Sequence, residues 1–145
     1  METITTSKAK TIKDFFTALD RKDLETGSSY WAPQHQMYFP SGGAPINRDV
    51  HKGMSQMFMT GFPDFKHEIQ DIIEAGNKVV SRGFFTGTHK GAFNGIPATG
   101  KKVRVSWIDI SEFDSNGKTL NEWVEMDSVG MMQQLGVVPS PPSNS

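Results

Sequence analysis

At residue 65 the hydrophobic period of this chain changes, and that switch constrains the fold more than any other feature. Before it, Ile12, Phe15, Phe16 and Leu19 repeat at i, i+3, i+4 and i+7, the spacing of one helix face. After it, apolar and polar residues alternate along Phe65–Glu74, Lys78–His89, Lys102–Phe113 and Lys118–Asp127. Ala75-Gly76-Asn77 and Asp114-Ser115-Asn116-Gly117 read as hairpin turns within that series. Helices followed by an antiparallel meander predict an α+β fold and exclude the alternating pattern of a parallel sheet.

The first helix is expected from about Ser7 to Asp20, capped by Thr6 or Ser7, with a short second one near Asp23. Tyr30–Arg48 is broken by Pro33, Pro40, Gly42, Gly43 and Pro45, leaving room for a short strand at Gln36–Phe39. Asp49 can cap a further helix with Val50, Met54, Met57 and Phe58 inward, ended by Gly61 and Pro63. His89–Lys101 reads as a long ordered connection and Met131–Leu135 as a helical turn. Residues 1–136 then make one domain, and 137–145 a Pro/Ser-rich tail.

With 15 Lys+Arg against 16 Asp+Glu, the charge balance argues against a nucleic-acid partner. No apolar run is long enough to span a membrane, and Met1–Lys10 does not resemble a signal peptide. The absence of cysteine excludes disulfides, thiolate metal sites and a cysteine nucleophile. A cytoplasmic location is the resulting expectation.

The last hairpin predicts which side chains share a face. If Asp114 opposes Lys118, then Ser111 faces Asn121, Asp109 faces Trp123, Trp107 faces Glu125, and Val105 faces Asp127. One side of the sheet would mix two indoles with Asp109, Glu125 and Asp127. The other would carry Ile108, Ile110, Leu120, Val124 and Met126, interrupted by Ser106, Glu112 and Glu122. Two tryptophans beside three acids suggest an aromatic-walled cavity, with the aliphatic side covered by a second subunit. Alternatively, the indoles pack on helices and the acids sit at a wet rim. A two-residue turn would shift the register and undo the assignment.

Phosphate-binding and dinucleotide fingerprints are missing, as are His-Glu-x-x-His and Gly-x-Ser-x-Gly. His35, His51, His67 and His89 lack the sequence spacing of a zinc site, so no metal or other cofactor is expected. Acid–base chemistry by carboxylate or imidazole remains. Asp127, at a strand end and on the projected face of Trp123, is either a poorly hydrated general acid/base or the cap of the following helical turn. His89 is a proton carrier at the pocket mouth or a structural loop histidine. Trp31 and Tyr38 supply either an opposite wall or plain packing.

Phe62-Pro63-Asp64-Phe65, then Gly87-Thr88-His89-x-Gly91-x-Phe93-x-Gly95-Ile96-Pro97-x-Thr99-Gly100, resembles the SnoaL-like polyketide cyclase group. Glu122-Trp123-x-x-x-Asp127 and Gln133-Gln134-Leu135-Gly136 extend the likeness, which runs from about Ile12 to Gly136. This group lies in the nuclear transport factor 2-like superfamily. The resemblance implies a cone: a curved antiparallel sheet wrapped around N-terminal helices and enclosing one apolar cavity. It implies homodimers packed through the outer sheet face. It also implies an acid/base aspartate on the final strand, matching Asp127, with His89 in the Gly-Thr-His motif.

Those residues suit a cofactor-free lyase or isomerase closing a ring by aldol chemistry on a polyketide-like small molecule. Trp107, Trp123, Phe62 and Met57 would hold a flat substrate, with Trp31, Tyr38, Asp109 and Glu125 completing the wall. Two alternatives are a hydrolase of an epoxide or lactone, using Asp109, Glu125 and Asp127 to position water, and a non-catalytic small-ligand carrier.

Overall fold

Ser7 opens the first helix by accepting the Lys10 amide, so α1 runs Lys8–Asp20 and turns Ile12, Phe15, Phe16 and Leu19 inward. The computed structural model describes residues 7–39 and 43–140. Asp23 caps the short α2 (Leu24–Ser28). Strand β1 (Trp31–Tyr38) is longer than the expected Gln36–Phe39. Its pairing is irregular between Trp31 and Gln36, where Pro33 has no amide to give the ladder.

After β2 (Ile46–Asn47), Asn47 rather than Asp49 caps α3 (Arg48–Gly61). The face of α3 also departs from expectation. Val50 is exposed, whereas His51, Ser55 and Met59 are buried. The meander follows as β3 (Lys66–Ala75), β4 (Lys78–Thr88), β5 (Lys102–Phe113) and β6 (Thr119–Met126), and α4 (Ser128–Leu135) comes directly after it.

The strands form one curved, open sheet in the order β2-β1-β6-β5-β4-β3. Its meander is antiparallel, but β1 runs parallel to β6, which the expected all-antiparallel sheet did not include. Helix α1 packs on β3 and β4, α3 on β1, and α4 on β5, so the apolar core lies between helices and sheet. No helix among the described residues is long and apolar enough to cross a membrane. The final residues of the Pro/Ser-rich tail, 141–145, and the alternative cap Thr6 lie outside the described residues.

One bulge decides which residues meet inside. Phe113 pairs with Thr119, but Glu112 pairs with Asn121, so Leu120 is an extra residue in β6. Beyond it Ser111 faces Glu122, Asp109 faces Val124, and Trp107 faces Met126. The turn-derived register is thus corrected by one residue. Trp107, Asp109 and Ser111 stay on the expected face, while Glu122, Val124 and Met126 replace Trp123 and Glu125 beside them.

Candidate active site

Between the helices and the concave sheet lies a cavity of about 370 Å³. Its walls are mostly Phe and Met, including Phe15, Phe58, Phe85, Met54, Met57 and Met132. His51, His67, Asp109 and Glu122 are the ionisable side chains on that wall. A larger hollow, about 690 Å³, lies outside at the β5–β6 turn and is lined by polar groups such as Asn77 and Asp114. Of these two, the inner cavity combines an apolar wall with buried acids and bases.

Asp109 and Glu122 come from neighbouring strands and are both buried. Ser111 Oγ donates to Asp109 Oδ1 at 2.9 Å. Loss of hydration pushes Asp109 up to about 7, against the opposing effect of hydrogen bonds from Ser111 and Glu122. Burial also raises Glu122 well above the usual carboxylate range, and the neighbouring Asp109 charge adds to the rise. Two carboxyls so placed cannot both ionise at neutral pH without large cost, so the pair holds a proton there.

A histidine pair faces them. His35 Nδ1 lies 2.9 Å from the Thr119 carbonyl, an acceptor only, so Nδ1 carries the proton and Nε2 accepts. His51 Nδ1, 2.9 Å from His35 Nε2, must then be the donor of that bond. His51 Nε2 is left with a free lone pair, 3.8 Å from Glu122 Oε1. Desolvation, reinforced by His35, holds His51 down to about 3, so this contact joins a neutral imidazole to a carboxyl that keeps its proton. Trp31 stacks on both rings, at 4.9 Å from His35 and 4.0 Å from His51. It fixes the histidines instead of lining the cavity.

His35, His51 and Glu122, scattered in sequence, bring potential metal-ligand atoms within 4.8 Å of one another. The hydrogen bond between the rings occupies His35 Nε2 and His51 Nδ1, and His35 Nδ1 is held by the Thr119 carbonyl, leaving His51 Nε2 and the Glu122 carboxyl. Two ligands make an incomplete cation site.

The other site residues expected from sequence fall in different places. Met57, Trp107 and Asp109 line the cavity. Phe62 is fully buried in the core against Phe85 and Phe93. Trp123 and Glu125 lie on the outer face, where Tyr38 stacks on Trp123 at 5.4 Å. Asp127 is exposed, and its Oδ1 accepts the Gly130 amide at 2.9 Å as the cap of α4. The expectation of a desiccated Asp127 is therefore corrected: the Leu120 bulge reverses the alternation of β6, so Met126 and Ser128 line the cavity while Asp127 between them turns outward. A Cβ at residue 130 would lie 2.1 Å from Asp127 Oδ2, so a side chain there would have to displace that oxygen.

His89 is buried away from the cavity wall. Its Nδ1 accepts the Thr99 amide at 3.2 Å, leaving Nε2–H without a partner. Its own amide and carbonyl bond Lys101 and Gly100, closing the loop at its base. Asp64 accepts from both the amide and hydroxyl of Thr88, each at 2.7 Å. Gly91 packs so close to α3 that a Cβ would stand 2.2 Å from the Thr60 carbonyl. Gln134 clamps the Arg104 amide and carbonyl at 2.6 and 3.0 Å. The motifs noted in the sequence hold loop, helix and strand together around the cavity, while its ionisable groups come from outside most of them.

A family model described as SnoaL-like polyketide cyclase matches residues 10–135. Among solved structures, IdmH of Streptomyces antibioticus, a candidate polyketide cyclase, is 30% identical with a TM-score of 0.78, covering 90% of this chain and 99% of its own. TsrD of Streptomyces laurentii is 25% identical with a TM-score of 0.80, over 94% and 100% of the two chains. AclR of Streptomyces galilaeus, a candidate hydroxylase, shares the fold at 23% identity and a TM-score of 0.85, over 93% of this chain and 84% of its own. No curated protein matches the sequence.

Proposed function

Because this chain belongs to the SnoaL-like polyketide cyclase family, we propose that it uses Asp109 and Glu122 for proton transfer in cyclising or isomerising a polyketide-like small molecule. The observation that carries this reading is the pair of buried carboxyls, Asp109 and Glu122, on a cavity wall made mostly of Phe and Met. An ionised Asp109 beside a protonated Glu122 is a base next to an acid, with Asp109 poised near neutral pH. His51 Nε2 offers a second lone pair within the same cluster.

In an aldol closure, a base removes a proton from carbon next to a carbonyl. The resulting enolate attacks a second carbonyl carbon, and its oxygen takes up a proton. The substrate's conjugation spreads the enolate charge, and the cavity supplies shape and exclusion of water. Met54, Met57 and Met132 give that wall an adaptable surface for a flat polycyclic guest.

The bicyclic ketone 2-tetralone serves as a probe of this chemistry. The protein accelerates exchange of its α-protons in D2O, followed by NMR, and Asp109→Asn abolishes the acceleration. No acceleration over buffer by the wild-type protein contradicts the reading.

A second reading is favoured by the clustering of two carboxyls with a free imidazole lone pair. These groups can hold and activate a water, as ring opening of an epoxide or lactone requires. Incorporation of labelled oxygen from water into an opened epoxide supports it; turnover of the ketone probe alone opposes it.

We also propose that a second copy covers the outer sheet face. Ile108 and Trp123 are exposed there, and the cross-strand row Arg82, Ile108, Glu125 places opposite charges on either side of an isoleucine. Such a row is self-complementary about a two-fold axis. Sedimentation as a dimer that Ile108→Lys dissociates supports this contact; a monomeric wild type contradicts it.

A further inference from the structure

The cavity has a second polar end. His67, on β3, projects into its wall about one ring away from Trp107, with centroids 6.1 Å apart. Asp20, the last residue of α1, holds this histidine twice. Its Oδ1 accepts from His67 Nδ1 at 2.7 Å, and its two oxygens accept the His67 backbone amide at 3.1 and 3.2 Å. Lys22 Nζ donates to the carbonyls of Asp20 and Phe65, fixing the helix end against the start of β3. The ring is packed by Phe16 at 4.8 Å, with Phe65 and Phe85 edge-on. It is therefore locked in rotation.

The consequence is chemical. A carboxylate on Nδ1 fixes that nitrogen as a donor, leaving Nε2 as the reactive position. Nε2 makes no hydrogen bond within the described residues, Nδ1 alone being engaged. Trp107 occupies the wall between this histidine and Asp109, which lies two residues along the same face of β5. Its indole N–H is buried with no hydrogen-bond partner. The unsatisfied indole N–H calls for an oxygen acceptor from outside the protein, and Nε2 of the carboxylate-held imidazole, when protonated, donates to such an oxygen as well.

Resting on the acid/base reading above, we infer that the Asp20–His67 pair is the cavity's second proton-transfer group, serving a substrate oxygen while Asp109 serves a substrate carbon. The guest is then a conjugated carbonyl compound lying along Trp107, its carbonyl oxygen toward His67 and its acidic C–H toward Asp109. Asp109 takes the carbon-bound proton as the new carbon–carbon bond forms and the accepting C=O π bond breaks. Imidazolium Nε2–H protonates the resulting alkoxide. The carboxyl then loses its proton to solvent and the imidazole regains one, so no redox partner is needed. Asp20 is a positioning residue that acts through His67.

The test separates Nδ1 from Nε2. His67→Asn places an amide where Nδ1 stood, retaining the Asp20 bond without a group at Nε2. His67→Gln extends an amide N–H toward the Nε2 position. On 2-tetralone in D2O, His67→Asn lowers exchange about 100-fold, the scale of a lost general acid, without a fall in melting temperature; His67→Gln recovers part of it. A second measurement needs no cavity variant: 2-naphthol, a flat hydroxyl compound, shifts the His67 Nε2 signal in the 15N spectrum of the wild type. Asp20→Asn changes the tautomer seen in that spectrum. Unaltered exchange in His67→Asn, with Asp109→Asn inactive, overturns this proposal and leaves the carboxyl reading standing. An unmoved Nε2 signal at saturating 2-naphthol also overturns it. Absence of exchange in the wild type defeats the carboxyl reading first, and this inference with it.

Discussion

Replacing Asp109 by Asn tests the buried charge through stability as well as activity. The shape is preserved, and the amide oxygen still accepts the Ser111 hydroxyl that bonds Asp109 at 2.9 Å. What disappears is ionisation. Asp109 is raised by desolvation from 3.8 to about 7, so between those values the folded protein binds a proton that the unfolded chain has released. Folding stability contributed by this group is complete below pH 3.8 and declines as pH rises toward 7. At about 1.4 kcal/mol per pH unit, the decline totals about 4 kcal/mol. Asp109→Asn therefore has nearly wild-type stability at pH 4 and exceeds it by up to about 4 kcal/mol at pH 8. Removing the negative charge beside Glu122 acts in the same direction. Urea unfolding at the two pH values gives the difference directly. In thermal melts at pH 8, it corresponds to roughly 8–16 °C for a chain of this size. A variant less stable than wild type at pH 8, or an advantage independent of pH, refutes the reasoning. A gain in stability with loss of ketone exchange is what a buried functional acid entails.

Other perturbations separate chemistry from scaffold. His51 is held from 6.5 down to about 3, so its stability contribution is complete above pH 6.5 and is lost as pH falls toward 3. His51→Gln removes this term, and its unfolding free energy falls less steeply than wild type's in acid titrations. Asp127→Ala loses the α4 cap at a cost of about 1 kcal/mol in urea unfolding, while ketone exchange is retained. Gly91→Ala drives a methyl into the Thr60 carbonyl and destabilises the protein by about 1–3 kcal/mol, measured by the same unfolding curves.

The elements were largely legible in the sequence because alternation is a local signal. Lys102–Phe113 is recovered as a strand with the expected bounds, and Ser7 caps α1 as its hydroxyl allows. The active face was less legible because register is not local. Asp114 does pair with Lys118, but the extra Leu120 reverses every later β6 side chain, and no glycine or proline in the strand announces the bulge. A signal was present: Glu122 is a lone acid in line with Val124 and Met126, a carboxyl on an apolar stripe. On α3, the stripe marked by Val50 and Met54 obscured His51 and Ser55, which lie four residues apart and continue toward Met59. Pro33 concealed the start of β1 and with it the partnership of His35 and His51. The most recognisable motifs proved to be fasteners. Asp64 with Thr88, Gly91 under Thr60 and Gln134 on Arg104 specify the container more than its chemistry.

The central claim concerns a proton retained by two carboxyls inside the cavity, and 13C NMR of labelled Asp and Glu side chains follows that proton directly. The account predicts a carboxyl signal titrating near pH 7 that vanishes in Asp109→Asn, and a second that stays protonated beyond the usual Glu range and vanishes in Glu122→Gln. If both carboxyls ionise within the ordinary range near pH 4, the cavity holds two hydrated charges and the proposed acid/base pair does not exist.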